Sequence, residues 1–311
     1  MSTYLVTGVA GFIGSNLAEA LLARGDTVRG IDNFVTGKRD TVAGLKGLDF
    51  IEGEITSADT MKRVLRGVDY VLHEAALPSV PRSVAEPVLC NHANVNGTLT
   101  VLEAARHARS VKRLVYAASS SAYGDTTVLP KVETLAPRPR SPYAVQKLTG
   151  EHYATVYSML YELPCVSLRY FNVFGPRQDP ESQYAAVVPK FILAALKGES
   201  PPVFGDGMQS RDFTFVGNVV EANLKACSAA GVAGEMFNVA CGERHSLLDL
   251  LAMINEAAGS NVTPRFFPAR PGDVKDSLAD ISKARKMLGY TAGVSVKDGL
   301  QRTLAWYKTR I

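Results

Sequence analysis

Short apolar runs recur through the first half of the chain: YLVT (4–7), TVRGI (27–31), LDFI (48–51), DYVLH (69–73), RLVYAA (113–118) and CVSLRYF (165–171). They are unbroken by polar alternation and bounded by turn residues, the pattern of strands buried on both faces of a parallel sheet. Between them, residues 15–24, 94–109 and 143–161 carry apolar positions three and four apart, which predicts crossover helices. Gly25 stops the first helix, and Ser141 with Pro142 supplies a cap and first residue for the third. Beyond Phe171 the rhythm gives way to turn-rich GPRQDP and GDGMQSRDF around a helical stretch at 188–196, then returns at MFNVA (236–240). The fold expected is α/β: a Rossmann-type doubly wound parallel sheet with a smaller interleaved C-terminal α/β domain. The division expected is 1–171, with returning segments at about 212–240, for the first domain, and 172–211 with 241–311 for the second.

Composition narrows the chemistry. A chain of 311 residues with 46% hydrophobic content can bury a full core. The formal charge of +4 comes without a polybasic run, which argues against nucleic acid. No apolar run reaches the length of a membrane span. Cys90, Cys165, Cys227 and Cys241 show no paired spacing, so a disulfide framework or zinc site is not expected and a reducing, cytoplasmic compartment is. The five histidines form no ligand motif, and no metal is expected.

The first strand runs directly into TGVAGFIG, with Gly8, Gly11 and Gly14 ahead of the first helix. Strand, glycines and helix in that order make a dinucleotide cradle: a tight turn, close backbone approach to a diphosphate, and free N–H groups at a helix start. Asp32 ends the second strand, about 18 residues past Gly14, the spacing of a carboxylate that reads ribose hydroxyls and repels a 2′-phosphate. That favours NAD over NADP, with Lys38 and Arg39 close by as the opposing signal. Glu54 and the HEAA stretch (73–76) follow the third and fourth strands, at the sheet end where ligands bind. In SPYAVQK (141–147), Tyr143 and Lys147 fall one turn apart on one helix face. Alone, such a pair is commonly an aromatic packed on a lysine stem.

Together with Asp32-Asn33, NVNGT (94–98), AASSSAYG (117–124), RYFNVFGPRQDP (169–180), SRDF (210–213) and RPGDV (270–274), these blocks resemble the extended short-chain dehydrogenase/reductase superfamily, and within it the nucleotide-sugar 4-epimerases. The resemblance runs from about residue 4 to residue 290. It implies that Tyr143 and Lys147 are the catalytic pair, assisted by Ser119 or Ser120. A tyrosine ordinarily ionises near 10, and an adjacent ammonium with a nicotinamide cation would favour its phenolate. It also implies cofactor contacts from Gly8, Gly11, Phe12, Ile13, Gly14, Asp32, Asn33, Gly37, Glu54, Ile55, Ala75, Ala76, Asn94 and Tyr170. Glu54 stands where the family mostly has aspartate, and Asn218, a candidate helix cap, departs likewise.

The chemistry so implied is oxidation at C4 of a UDP-sugar by NAD⁺, rotation of the 4-keto sugar, and reduction from the other face. The related dehydratases place an Asp-Glu pair where this chain has Ser120 and Ser121, so elimination lacks its acid. Arg211 and Arg270 match positions that hold the diphosphate, with Asp273 in the same RPGD block and Asn172 and Val188 at further substrate positions. Ser79 follows Pro78 at the sugar pocket. Pro78, Ala186 and Ser277 are compact at three wall positions, leaving room for an N-acetyl group. UDP-GlcNAc/UDP-GalNAc is therefore the expected pair, with UDP-Glc/UDP-Gal possible. A UDP-glucuronate epimerase or decarboxylase, and a non-catalytic NAD(H)-binding module, are the alternatives. The family commonly dimerises through a four-helix bundle, here built from 94–109 and 143–161 of each copy.

Overall fold

The computed structural model describes residues 1–180, 187–269 and 275–310. Its centre is a seven-stranded, all-parallel sheet. In chain order the strands are β1 (Thr3–Thr7), β2 (Thr27–Asp32), β3 (Asp49–Glu52), β4 (Tyr70–His73), β5 (Arg113–Ser119), β6 (Cys165–Tyr170), and then Met236–Val239. In space they lie with Met236–Val239 at one edge, followed by β6, β5, β4, β1, β2 and β3. The chain thus winds outward from β1 to β3, crosses back, and winds outward again from β4. The crevice between β1 and β4 is the point of reversal, where a doubly wound sheet leaves its strand ends open to a ligand. All seven predicted strands form, within a residue or so of their expected limits.

Two apolar clusters cover the sheet. One includes Val6, Leu17, Leu72, Val115, Leu168 and Phe237; the other includes Leu5, Ile31, Val71, Leu102, Leu114 and Tyr157. Because both faces are packed, the strands need no polar alternation. Ala279, Ile281, Ala284, Leu288 and Tyr290 return to the first of these clusters. A third cluster gathers Phe174, Phe191, Val203, Phe213, Leu250 and Leu300 from later segments.

Three helices matter for the site. The first runs Phe12–Ala23, three residues earlier than the periodicity predicts, because Gly11 takes the N-cap position in extended conformation and the glycine turn feeds straight into it. Pro142–Leu160 starts as the sequence indicates: the Ser141 hydroxyl accepts from Ala144 N at 3.1 Å and Pro142 occupies the first turn. The expected helix at 94–109 is instead a π-helical turn, His92–Asn96, followed by α-helix Gly97–Ala108. Such widened turns often mark functional sites.

Candidate active site

At the end of β1, Gly8 adopts φ +70°, and a Cβ there would lie 2.8 Å from the backbone of Ala75. A side chain at Gly8 is therefore excluded by backbone strain and by β4's continuation at once. A Cβ at Gly14 would strike the Gly8 carbonyl, so the first helix can pack this closely only on a glycine. Among the described residues no side chain caps the start of that helix, and its first turn holds no acidic residue. The result is a helix N-terminus open to an anion, at the crevice between β1 and β4. Gly37 closes the turn from outside, where a Cβ would meet Ala10 at 2.5 Å. Phe12 and Ile13, the helix's first residues, are half-buried against the apolar clusters.

Beside the turn lies a cavity of about 430 Å³, lined by Gly8, Asp32, Asn33, Glu54, Ile55, Ala75 and Ala76, all seven of them residues that the sequence singles out. Asp32 is buried, its Oδ2 accepting from Ala10 N at 3.0 Å and its Oδ1 from Phe34 N at 2.8 Å. Burial raises its pKa, and these backbone donors oppose the rise. Asn33 donates to both oxygens of Glu54, at 3.1 and 3.0 Å. The two cations that argued for NADP are both spoken for: Arg39 pairs with Glu52 at 2.7 Å and Lys38 with Asp179 at 3.2 Å. A cavity lined by the carboxylates of Asp32 and Glu54, next to an uncapped helix start, fits a dinucleotide such as NAD.

Further lining comes from Thr36, Gly53, Leu77, Arg82, His92 and Ala93, which the sequence did not mark. Most lie in loops with no spacing signal. Gly97 was legible only in part: a Cβ there would come within 2.6 Å of Ile55, so this glycine sets how deeply the cavity wall can sit. Asn94, expected to touch the cofactor, turns its amide elsewhere. It accepts from Leu77 N at 2.7 Å and donates to Leu77 O at 3.2 Å and to Gln146 at 2.8 Å, which fixes the wall rather than facing the cavity. Behind it, His73 bridges Thr7 at 2.8 Å and Thr98 at 3.0 Å, and burial pushes its pKa down to about 3, leaving the ring neutral.

The catalytic candidates converge at the ends of β4, β5 and β6. Tyr143 N donates to Ser83 Oγ at 3.0 Å, seating the helix start, and the Ser119 hydroxyl lies close enough to the Tyr143 phenol to lower its pKa. Ser119 is thus the serine brought to the tyrosine, and Ser120 opens the 3₁₀ turn Ser120–Tyr123 behind it. Ser119 Oγ also accepts from Ser121 N at 3.2 Å and from Ser121 Oγ at 2.9 Å. Lys147 is buried, its Nζ donating to Ala117 O at 2.8 Å and lying 5.1 Å from the centre of the Tyr116 ring.

Burial dominates the electrostatics of the Tyr143 and Lys147 pair. Burial pushes the Tyr143 pKa up to about 12, with Glu74 adding to the rise and only the Ser119 hydroxyl opposing it. The lysine alone does not make a phenolate here, because its ammonium is committed to a carbonyl and is itself pulled down by burial. Glu74, missed as a single residue within HEAA, accepts from Tyr170 OH at 2.8 Å and favours the protonated Lys147. Tyr170 in turn accepts from Asn223 at 2.8 Å.

Of the substrate candidates, Asn172 is exposed, with φ +28°, and its amide donates to Asp212 O at 3.2 Å. A left-handed asparagine at a strand end is a strained position of the kind functional sites retain. Arg211 donates to Ser210 O at 2.9 Å and Lys275 O at 3.0 Å. Its surface pairing with Asp212 does not occur, since that carboxylate is buried under the backbone N–H groups of Cys241, Gly242 and Ala279. Ser277 is buried, its N bonded to Ser210 O at 3.0 Å, beside Arg211. Ser79 caps a short helix through Arg82 N at 3.0 Å, Pro78 is exposed, and Val188 is buried in the third apolar cluster. Asn218 caps nothing: it sits inside helix Val216–Ser228 and pins Val294 through two hydrogen bonds, of 2.8 and 3.0 Å. Ala186, Arg270 and Asp273 lie outside the described residues. Among the described residues no group of His, Cys, Asp or Glu could hold a metal ion, and all four cysteines are free.

A glycine-turn nucleotide cradle joined to a Ser, Tyr and Lys cluster on one doubly wound sheet defines an extended short-chain dehydrogenase/reductase. The sequence pattern of the NAD dependent epimerase/dehydratase family matches residues 4–240, and the chain belongs to that family. It is 38% identical over 311 residues to a UDP-glucose 4-epimerase of Mycolicibacterium smegmatis, covering 98% of each chain. Among solved structures it is similar to a UDP-N-acetylglucosamine 4-epimerase from Methanobrevibacter ruminantium in complex with UDP-N-acetylmuramic acid, at TM-score 0.95 and 38% identity, covering 100% of this chain and 99% of that one. A UDP-glucuronic acid 4-epimerase from Bacillus cereus, in complex with UDP-glucuronic acid and NAD, follows at TM-score 0.90 and 35% identity over 99% and 100% of the two chains.

Proposed function

We propose that this protein is an NAD-dependent epimerase that inverts C4 of a UDP-sugar, with UDP-GlcNAc/UDP-GalNAc as its preferred pair. The observation that carries the reaction is that Tyr143 and Lys147 stand one turn apart on the helix Pro142–Leu160, and that Lys147 Nζ reaches Ala117 O, two residues before Ser119 on β5. Bound NAD⁺ supplies the hydride acceptor and, once reduced, the donor, so the reaction has no net redox change. The chain's residues handle the proton and the charge. Tyr143 takes the proton of the C4 hydroxyl and returns it after the sugar has turned, while Ser119 donates to the oxygen that bears the developing charge. Lys147, kept cationic against burial by Glu74, favours the phenolate once the pyridinium charge adds to its own.

Inversion requires a firm hold on the diphosphate and a loose one on the sugar. Arg211 suits the first task because a guanidinium presents a donor fork to phosphate oxygens. Ser277 and Pro78 suit the second, being small side chains at the wall positions, one buried and the other exposed. That space favours an N-acetyl group at C2, and the similarity to the N-acetylglucosamine epimerase supports the same choice. Incubating the protein with UDP-GlcNAc, without added reductant, should yield UDP-GalNAc. Product analysis across UDP-GlcNAc, UDP-Glc and UDP-glucuronate tests the preference; faster turnover of the uronate, or release of CO₂, would replace it. The helix Pro142–Leu160 exposes Val145, Val156, Met159 and Leu160, and pairing of that face in a homodimer would cover them. Light scattering on the purified protein tests this, and a monomer at assay concentration refutes it.

A further inference from the structure

We infer that Glu74 is the fixed countercharge of the nicotinamide: its carboxylate makes the site prefer the oxidised, cationic ring to the reduced, neutral one. This rests on the NAD-dependent reading above and assigns to it a residue that the Ser, Tyr and Lys chemistry does not require.

Glu74 leaves the sheet directly after β4, and a Cβ on Gly8 would lie 3.2 Å from its carbonyl carbon, so it borders the nucleotide turn. Its carboxylate is held in place by a chain from two other elements, Asn223 Nδ2 to Tyr170 OH and Tyr170 OH to Glu74 Oε1, each 2.8 Å long. Among the described residues no guanidinium or ammonium stands in ion-pair contact with it. The groups that face it are Lys147 and Tyr143 from the Pro142–Leu160 helix, Tyr116 from β5 and Tyr170 from β6. Its sequence neighbour His73 is neutral. The one cation among these gives its nearest hydrogen bond to Ala117 O. Tethered by the Tyr170 hydroxyl and with Lys147 as the one cation near it, this carboxylate is stabilised further by a second positive charge.

The reaction brings one. A ring that accepted hydride from the carbinol carbon while Tyr143 took the hydroxyl proton would lie near Tyr143, and Tyr143 and Glu74 are close enough to interact. Hydride uptake abolishes the ring's charge, and a nearby anion in a poorly screened site therefore favours the oxidised form. The consequence is a resting protein poised with NAD⁺, ready to begin each cycle by oxidation.

The test omits the sugar, so its outcome is independent of which substrate is correct. Wild type, Glu74→Gln and Glu74→Asp are each titrated with NAD⁺ and with NADH at about pH 8, and the ratio of the two dissociation constants is compared. Glu74→Gln should shift that ratio toward NADH by about fivefold or more, and Glu74→Asp, which keeps the charge, should hold it within about twofold. In wild type the preference for NAD⁺ should fade toward about pH 5.5, because burial holds the Glu74 pKa above the ordinary carboxylate range and protonation removes its charge. This pH series serves even if the Gln variant fails to fold. An unchanged ratio in Glu74→Gln, an equal change in Glu74→Asp, or a pH-independent wild type overturns the assignment.

Discussion

Replacing Ser119 with alanine removes the one neighbouring group that works in favour of the Tyr143 phenolate. The chain holds that phenol at about 12, against an ordinary 10.0, and Ser119 is the single group that lowers it. At about 1.4 kcal/mol per unit, the two-unit rise opposes ionisation by ~2.7 kcal/mol. A hydrogen bond to a charged group is worth about 1.5–3 kcal/mol, so its loss should nearly double that opposition and cut kcat by roughly 10- to 150-fold. KM should move little, since the bond matters most when charge develops on oxygen. The acid limb of the pH–rate profile should shift to higher pH, because a phenol with less support ionises later. Ser119 is only half-buried, so the melting temperature should change by no more than a few degrees. Kinetics of wild type, Ser119→Ala and Ser119→Thr across about pH 6–10 check this, with threonine restoring most of the rate. A kcat within twofold of wild type, or a loss confined to KM, would refute the role given to Ser119.

Other consequences concern the scaffold. Gly97→Ala places a methyl group where Ile55 packs, 2.6 Å away, and should weaken NAD binding about tenfold by calorimetry while leaving the sheet folded. Arg169 is buried against Glu151 at 2.6 and 2.8 Å and lies over the Tyr123 ring; Arg169→Met strands the carboxylate and should cost about 3–5 kcal/mol in urea denaturation. His73 is held neutral far below its ordinary 6.5, so its share of stability is present above about 6.5 and is lost as pH falls below it. Between about pH 6.5 and 5 this should amount to ~2 kcal/mol, visible as a slope that His73→Asn lacks. Asp32→Ala should lower NAD affinity by roughly 10- to 100-fold and narrow the preference over NADP, as measured by parallel titrations; undiminished discrimination would remove Asp32 from that role.

How much was legible follows physical range. Strands buried on both faces write themselves as unbroken apolar runs, and β1 to β6 are found where those runs stand. Gly8, Gly11 and Gly14 were legible because a tight turn, a close backbone approach and a packed helix start each forbid a side chain at fixed spacing. Ser141 and Pro142 announced the helix that carries Tyr143 and Lys147, because capping acts within one turn. Local rules fail where partners are distant in sequence. The π-turn at His92–Asn96 looks like ordinary helix in the apolar pattern, and Asn94 reveals its duty to Leu77 and Gln146 only when the segments meet. Lys38 and Arg39 left the choice of nucleotide open until Asp179 and Glu52 were seen to occupy them.

By itself, then, the chain's order of residues determined the sheet, the nucleotide turn and the Tyr143–Lys147 pair, all properties of short segments whose backbone geometry tolerates few residue types. Only the folded molecule decided which serine comes near the tyrosine, that the tyrosine is pushed away from ionisation, and that Glu74 stands close to Tyr143 and Lys147. Charge and burial are sums over neighbours from β4, β5, β6 and two helices, and no window along the chain contains that sum.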